Sequence, residues 1–471
     1  MHNLIYDETW SVEDIVKEAH KLIGKKLGEI DKSGWLDPNR SERSDKGRIG
    51  NMIQADYFGI PANSDKEADF KYHGIELKVT PIKKLKDGTY SAKERLVLGM
   101  INFMTDYQVP FEDSHVNHKT GKMLLIIYLH EENKSIKDFP IVEARLFELP
   151  KEDRAQVEID YNNIIEMIAA GKAHEISEKQ QKILGACTKG QGKGKDFVQQ
   201  PKSEELAKSR AYSYKSGYMT NFVRRILAPS EVNRLGTISE EVELKSTSFY
   251  KVLVETVSSY INKTDEEICK LIGYQGNPNG KSYIANLTHR LFGDHTKNNV
   301  NYTEEFLKNG FAVKTITKRL NKNSNQDMSF PTIDFTEILY DEFDQSSWYT
   351  LFVETEYIIA VWEEYEKGKY KLVKFVDWIP NDEFIEQVRT MYEHIKGMLL
   401  TDSIKITKVI SEDGSETWRD NLPKKGVIKP LQIRPKGTKD SSIYTLDNGL
   451  EIKKKTLFID KEYMWKILNI E

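Results

Sequence analysis

The sequence predicts a mixed α/β fold that is divided into two domains of similar design. Its 471 residues are enough for two or three hydrophobic cores. Segments with the period-two alternation of strands follow amphipathic segments with helical spacing, which is the pattern of an α/β protein. The order of these segments in the first half returns in the second half, which indicates an internal repeat.

Helices are predicted first in each half, and strands follow them. One apolar helical stripe consists of Val12, Ile15, Val16, Ala19 and Ile23. A second stripe, in the predicted helix 46–59, consists of Ile49, Met52, Ile53 and Tyr57. The strands expected next are 96–103, 123–129 and 141–149, before a helix at 152–171.

The segment DFKYHGIELK carries the most informative polar residues. Its alternation of apolar and polar residues predicts a strand that begins near Ile75 and holds Glu76 and Lys78 on one face. Gly74 and the polar residues before it predict a turn. The chain that folds back across this turn is expected to bring Asp69 beside Glu76.

Two carboxylates and a lysine in this arrangement are what a magnesium-dependent nuclease needs. Mg²⁺ prefers oxygen ligands and keeps much of its water, so Asp69 and Glu76 are candidate ligands. Lys78 can orient or deprotonate the attacking water and offset charge on a phosphate. The same pattern also occurs on solvated strand faces, so it does not identify a nuclease by itself.

The neighbouring blocks make the pattern more specific. KGRIGNMIQADYFG precedes it, and SHVNHK follows it, immediately before the apolar run 123–129. In this order and spacing the three blocks resemble the MutH and Sau-type family, whose members cut or nick DNA at GATC. The resemblance implies two tandem MutH-like domains with the PD-(D/E)xK restriction-endonuclease-like fold, the second a degenerate pseudo-nuclease.

The repeat gives the expected domain boundaries. Gly59 pairs with Gly293, and Gly74 pairs with Gly310. We expect a catalytic domain at 1–228, a linker at 229–240, and a DNA-binding or allosteric pseudo-nuclease domain at 241–471. Strands of the second half are expected at 348–352, 357–362 and 370–376, and a capping box at Thr264 predicts a helix start.

The repeat also indicates which half carries the chemistry. By sequence offset, the counterparts of Asp69, Glu76 and Lys78 are Glu305, Ala312 and Lys314. The second half therefore lacks one carboxylate, and its segment before the strand 357–362 has no lysine. We expect it to bind Mg²⁺ poorly and to keep its phosphate contact.

The resemblance assigns further roles near the expected metal. Lys119, the last residue of SHVNHK, occupies the place of a second catalytic lysine. Gln54 stands where the family usually has a further acid, although its carbonyl oxygen can still ligate a metal. Asp56 lies roughly 200° around the helix and is no easy replacement. The spacing of His115 and His118, without a third ligand, argues against zinc.

DNA contacts are expected from two basic segments. Residues 182–215 contain eight Lys or Arg and three acids, and residues 424–455 contain nine and three, although the formal net charge is −4. Lys46 is a candidate because it opens a helix whose backbone N–H groups can hold a phosphate. The resemblance and the basic segments add these candidates: His115, Lys189, Tyr212, Lys215, Arg434, Lys436, Lys453 and Lys454. Arg434 can pair with guanine O6 and N7. Lys46 is equally consistent with a solvated first-turn residue.

The composition argues against membrane and secreted proteins. No apolar run approaches the roughly 20 residues that span a bilayer. The N-terminus lacks the pattern of a signal peptide. Cys187 and Cys269 are far apart and indicate free thiols in a reducing cytoplasm.

The resemblance implies a Mg²⁺-dependent type II restriction endonuclease that cuts double-stranded DNA at GATC, 5′ of the G. The second domain would bind a second GATC copy, and two chains can form a dimer on DNA. A cognate DNA methyltransferase would act on the same site. The alternatives are a non-cleaving GATC-binding regulatory protein, motivated by Gln54, and a MutH-like nickase, against which the doubled length argues.

Overall fold

The computed structural model divides the chain into two compact units. The described residues are 6–37, 47–61, 68–85, 88–131, 134–178, 181–189, 196–229, 249–293, 295, 299–321, 325–410, 416–436, 443–446 and 448–470. The first unit comprises Met1–Glu231 and Tyr340–Ser347, and the second comprises Val232–Leu339 and Trp348–Glu471. The predicted linker falls almost entirely on 230–248, outside the described residues.

The first unit combines helices with short strands. Its strands are β1 (Glu76–Lys84), β2 (Tyr90–Ala92), β3 (Leu96–Met100), β4 (Met123–His130), β5 (Ile141–Phe147), β6 (Leu184–Thr188), β7 (Phe197–Gln200), β8 (Ser203–Lys208) and β9 (Arg210–Tyr214). Its α-helices are Val12–His20, Leu27–Ile30, Arg48–Met52, His115–Gly121, Lys151–Ala169 and Ser216–Leu227. A π-helix, Ile53–Tyr57, continues the helix Arg48–Met52 directly.

The main sheet of the first unit has the order β2-β1-β4-β5. Strands β1 and β4 are parallel, and the other pairs are antiparallel. The continuous apolar run of β4 is explained by burial on both faces. Leu125 and Ile127 belong to the core that includes the helix Lys151–Ala169, and Leu124 and Ile126 to the core that includes the helix Val12–His20.

A second sheet of the first unit has the order β3-β9-β6, so β9 is its central strand. Both pairings are antiparallel. Every residue of β9 is buried, because neighbours flank the strand on both sides and helices cover its side chains. The strands β7 and β8 form a separate hairpin.

The second half of the chain is built from a similar set of elements. Its strands are β10 (Phe311–Lys318), β11 (Met328–Thr332), β12 (Glu356–Glu366), β13 (Lys369–Trp378), β14 (Ile406–Ile410), β15 (Glu416–Asp420), β16 (Leu431–Pro435), β17 (Ile443–Thr445), β18 (Glu451–Lys453) and β19 (Lys455–Ile459). Its α-helices are Phe249–Ser258, Asp265–Ile272, Tyr283–His289, Glu304–Asn309, Phe335–Tyr340, Ser347–Tyr349, Asp382–Leu400 and Lys461–Ile467. The predicted capping box at Thr264 is present.

The two units share one topology. Strand β10 runs parallel to β12, which pairs antiparallel with β13, as β1, β4 and β5 do in the first unit. The sheet β11-β19-β16 corresponds to β3-β9-β6. This correspondence agrees with the repeat in the sequence. It also makes β19 the counterpart of β9.

One predicted strand is wrong. Residues 348–352 form the helix Ser347–Tyr349 and the π-helix Thr350–Glu354. Trp348 and Phe352 are buried at a spacing that also suits a helix, and a short apolar run does not distinguish the two. The first unit has the helix His115–Gly121 at the matching place before β4. Among the described helices, none is long and apolar enough to cross a bilayer.

Candidate active site

The predicted turn before β1 is present and positions Asp69. Phe70 pairs with Ile75 across the turn, and Gly74 has a φ of 64°, a conformation that favours glycine. The Oδ2 atom of Asp69 accepts a hydrogen bond of 2.8 Å from the backbone N–H of Leu77. The carboxylate is therefore fixed beside the residue that follows Glu76.

Glu76 and Lys78 form an ion pair on the same face of β1. The Nζ atom of Lys78 donates to Oε1 of Glu76 at 2.9 Å. Glu76 is only 8% exposed. A carboxylate so shielded from water interacts strongly with cations, which makes this oxygen a favourable ligand for a metal ion.

Gln54 lies in the π-helix, and its side chain is buried. The residues next to it, Met52 and Ile53, belong to the same core as Ile75 and Leu77 of β1. Its amide nitrogen lies 3.5 Å from the carbonyl oxygen of Pro61, a weak contact. π-helical turns inside α-helices often occur at functional sites. The segment therefore packs Gln54's helix against the strand that carries Glu76.

Asp56 does not replace the missing acid. Its carboxylate accepts hydrogen bonds from the backbone N–H groups of Lys32 and Ser33 and from the Ser33 hydroxyl. It therefore stabilises the loop after the helix Leu27–Ile30. This agrees with its expected direction around the helix.

The oxygen donors of this site fit a hydrated Mg²⁺ ion. Asp69 and Glu76 offer carboxylates, and Gln54 can offer an amide carbonyl. Within the described ranges, no cluster of three or more His, Cys, Asp or Glu residues could hold a metal. A site of two carboxylates leaves several positions to water and phosphate oxygens, which suits Mg²⁺ better than zinc.

Two predicted cations fall outside what the structure describes. Lys119 belongs to the helix His115–Gly121, but its side chain is not among the described ones. Lys46 lies in the range 38–46, outside the described residues. Their roles remain predictions.

Tyr212 and Lys215 lie in places that differ from the predicted DNA contacts. Tyr212 is fully buried and stacks on Tyr161 with ring centroids 5.6 Å apart. Lys215 is 5% exposed, and its Nζ donates to the carbonyls of Glu178 and Gln181 at 3.0 and 2.9 Å. The structure gives both side chains supporting roles, because β9 is a central strand and its end is covered.

His115 is also held by protein contacts. Its ring lies edge-on to Tyr212, with centroids 5.4 Å apart. A Cβ at Gly99 would come within 3.3 Å of its Nε2 atom, so this glycine gives the imidazole room. Lys189 lies just after β6, where its backbone N–H donates to the carbonyl of Ser209.

In the second unit, Arg434 lies on β16. Its side chain is 43% exposed, and its Nη1 lies 3.2 Å from Oδ2 of Asp327. The guanidinium also lies 3.8 Å from the ring centroid of Phe458. These contacts hold the planar guanidinium in one orientation.

The contacts of the lysines near Arg434 in the sequence differ from one another. The backbone N–H of Lys436 donates to the carbonyl of Lys454 at 2.7 Å. The Lys453 ammonium lies 5.8 Å from the ring centroid of Trp418. Lys455, by contrast, is buried and pairs with Asp420. Lys436 is exposed, and Lys453 and Lys454 are half-buried.

The structure identifies a counterpart of Asp69 that the sequence offset missed. In the second unit, Asn301 Oδ1 accepts from the backbone N–H of Val313 at 2.7 Å. Val313 follows Ala312 as Leu77 follows Glu76, so Asn301 takes the structural place of Asp69. Glu305, the expected counterpart, lies instead in the helix Glu304–Asn309. This helix lengthens the connection to the strand, which a constant offset does not accommodate.

The comparisons with known proteins agree with this architecture. The family model described as DNA mismatch repair enzyme MutH matches residues 58–160. The type II restriction enzyme Sau3AI of Staphylococcus aureus is 31% identical over 435 residues, which cover 88% of this chain and 86% of that enzyme. The DNA mismatch repair protein MutH of Shewanella amazonensis is 30% identical over 175 residues, 37% of this chain and 75% of that protein.

A second MutH protein gives a similar result. MutH of Actinobacillus pleuropneumoniae is 29% identical over 183 residues, which cover 39% of this chain and 79% of that protein. The similarity to MutH proteins thus extends over about one unit's length, and the similarity to Sau3AI extends over most of the chain. The chain belongs to the family of MutH and Sau3AI-type site-specific DNA endonucleases.

Proposed function

We propose that the protein is a Mg²⁺-dependent type II restriction endonuclease that cuts double-stranded DNA at GATC, 5′ of the G. The observation that carries the proposal is the arrangement of Asp69, Glu76 and Lys78 around one turn and one strand. The similarity to a restriction enzyme over most of the chain supports the same conclusion.

In this proposal, Asp69 and Glu76 hold the metal ion, and Gln54 contributes a neutral oxygen or binds a metal-bound water. When bound, Mg²⁺ supplies positive charge to the phosphate and lowers the pKa of a bound water. Lys78, held by Glu76 on the face of β1, orients the attacking water and offsets charge on the scissile phosphate. Lys119 is proposed as a second cation at that phosphate.

The second unit is proposed to bind another GATC copy without cutting it. Arg434 would read guanine through its exposed guanidinium, and Lys436, Lys453 and Lys454 would contact backbone phosphates. Occupation of this second copy would stimulate cleavage by the first unit. One active site per chain requires either two chains on the palindrome or nicking of the two strands in turn.

The proposal is tested with a plasmid that carries GATC sites, incubated with the full-length protein and Mg²⁺ or EDTA. Linear products with 5′ phosphates and four-base overhangs are expected with Mg²⁺ only. Plasmid that is bound but intact would favour the regulatory alternative, for which Gln54 is the motivating observation. Open circular product without linear DNA would favour the nickase. A matched plasmid without GATC sites is the control.

The proposed methyltransferase partner is tested with the same plasmid. GATC sites modified by the methyltransferase of the same cell are expected to resist cleavage. Unchanged cleavage of the modified plasmid would contradict a restriction-modification pair.

A further inference from the structure

The second unit carries Asn301 and Ala312 at the two positions that correspond to Asp69 and Glu76. Asn301 replaces Asp69 in the hydrogen bond to the strand, and Ala312 replaces Glu76 by sequence correspondence. The lysine remains, as Lys314 on β10. The substitutions remove negative charge and leave a positive group.

The surroundings of Lys314 differ from those of Lys78. Its Nζ donates to the carbonyl oxygen of Ser329 at 2.8 Å and lies 4.4 Å from the ring centroid of Phe330. Within the part of the chain that the structure describes, no carboxylate is among the groups that act on Lys314. Burial, aided by the charge of Lys436, lowers the pKa of Lys314 to about 8. The Lys314 ammonium has three donors, and the bond to Ser329 uses one, so others can reach an anion.

A histidine beside this lysine also has an unused polar atom. The Nδ1 atom of His289 is buried and has no hydrogen-bond partner among the described residues. Burial, with a contribution from the charge of Lys314, lowers the pKa of His289 to about 4. A neutral imidazole can donate a hydrogen bond from either ring nitrogen, according to its tautomer. Unpaired buried polar atoms commonly mark a site for water or a ligand.

Lys436 lies next to β16, the strand that carries Arg434. Lys436 follows Arg434 by two residues, at the end of β16. Ser329, whose carbonyl oxygen accepts from Lys314, pairs with Phe458, and the Phe458 ring centroid lies 3.8 Å from the Arg434 guanidinium. The charge of Lys436 also acts on Lys314. An anion near these cations is attracted strongly where water is scarce. A backbone phosphate of DNA whose bases meet Arg434 has this charge and this location.

We propose that Lys314 and His289 form a metal-independent site for one backbone phosphate of DNA in the second unit. The site occupies the place of the catalytic centre in the first unit. It rests on the proposed DNA binding by the second unit and deepens it, because it states how that unit binds a phosphate without a divalent ion. Asn301 keeps the strand in position without adding negative charge.

The test is a titration of a fluorescent GATC duplex with the full-length protein in EDTA at several salt concentrations. The parent carries Asp69→Ala, so that residual metal causes no cleavage. Lys314→Gln is expected to weaken binding about tenfold and to reduce the slope of log affinity against log salt by about 0.9, the value for one lost phosphate contact. Lys314→Arg is expected to keep the slope.

Lys369→Gln is the matched control, since it changes another lysine of the second unit, whose ammonium is paired with Glu366 at 2.9 Å. It is expected to leave the salt slope unchanged. Equal affinity and slope for the parent and Lys314→Gln, with thermal unfolding showing that both are folded, would overturn the phosphate site. If GATC preference persists in that case, the proposed function stands. A parent without binding to GATC duplex would overturn both.

A test with inorganic phosphate shows whether the site binds a phosphate of the DNA backbone or a free phosphate ion. At the duplex concentration, inorganic phosphate is expected to leave the melting temperature of the parent unchanged. Stabilisation of the parent by inorganic phosphate, absent in Lys314→Gln, would indicate a free-phosphate site and overturn the assignment to DNA. His289→Ala is expected to weaken duplex binding in EDTA less than Lys314→Gln does. The slope of log affinity against log salt is expected to stay at the parent's value, because Lys314 is still present.

Discussion

The Asp69 carboxylate accepts a hydrogen bond of 2.8 Å from the backbone N–H of Leu77, which fixes it at the start of β1. Asn301 makes the equivalent bond to Val313 at 2.7 Å in the second unit. An amide oxygen is therefore sufficient for the structural part of this role. The negative charge of Asp69 is not needed for this hydrogen bond, and we propose that it serves the chemistry.

Removal of the Glu76 charge is expected to stop cleavage without preventing DNA binding. Glu76→Gln should lower the single-turnover rate at least about 100-fold, since even changes behind a metal ligand cost 10- to 100-fold. Binding in EDTA should be equal or tighter, because a buried negative charge near the phosphate is removed. Asp56→Asn is the control, since the Asp56 carboxylate accepts hydrogen bonds from the backbone N–H groups of Lys32 and Ser33 and lies outside the proposed metal site. Wild-type cleavage by Glu76→Gln would exclude it as a ligand.

Restoration of both carboxylates should create a metal site in the second unit. Asn301→Asp with Ala312→Glu, in a chain whose first site is disabled by Asp69→Asn and Glu76→Gln, is expected to gain binding of one divalent ion. Terbium luminescence measures this directly. Glu305→Gln in the same chain should leave the gain intact. Loss of the gain in that variant would show that Glu305, not residue 301, supplies the ligand.

Tyr212 and Lys215 are expected to affect stability. Tyr212→Ala should lower the free energy of unfolding by about 3–5 kcal/mol, as for other large buried aromatic residues. Lys215→Met should lower it by about 1–3 kcal/mol, because the carbonyls of Glu178 and Gln181 lose their donor. Denaturant unfolding monitors both. A strong loss of DNA affinity at unchanged stability would restore the DNA-contact hypothesis.

Arg434→Ala is expected to affect DNA recognition and to leave stability nearly unchanged. It should weaken preference for guanine in the second GATC copy by about 1–3 kcal/mol, the range for one bidentate base contact. Unfolding should change little, because the side chain is 43% exposed. Competition between GATC and AATT duplexes measures the preference. An equal loss for both duplexes would assign Arg434 to the phosphate backbone instead.

DNA binding in EDTA should weaken above pH 8. The pKa of free Lys314 is lowered to about 8, by burial first and by Lys436 second. A bound phosphate favours the ammonium form and raises the pKa of Lys314. The contribution of Lys314 to DNA affinity is therefore complete below pH 8 and declines as the pH rises from the pKa of the unbound protein to the pKa of the complex. Lys314→Arg should flatten this pH dependence, because guanidinium remains charged. An equal decline in both proteins would assign it to another group.

The features that were predictable from the sequence are those set by local pattern. The alternation around Glu76 and the glycine turn at Gly74 define the strand and the hairpin, and both are present. The burial of Tyr212 was not predictable, because it depends on β9 being the central strand of its sheet. The role of Asn301 was not predictable, because the helix Glu304–Asn309 before β10 changes the spacing between the repeats.

The central claim is that Asp69 supplies a charge needed for hydrolysis and not for the fold. The most direct measurement compares the wild-type protein with Asp69→Asn on an end-labelled GATC duplex in Mg²⁺, with thermal unfolding of both. We predict a folded, DNA-binding Asp69→Asn protein that produces no cut 5′ of the G, while the wild-type protein cuts both strands there. Cleavage by Asp69→Asn at the same position and rate would contradict the account.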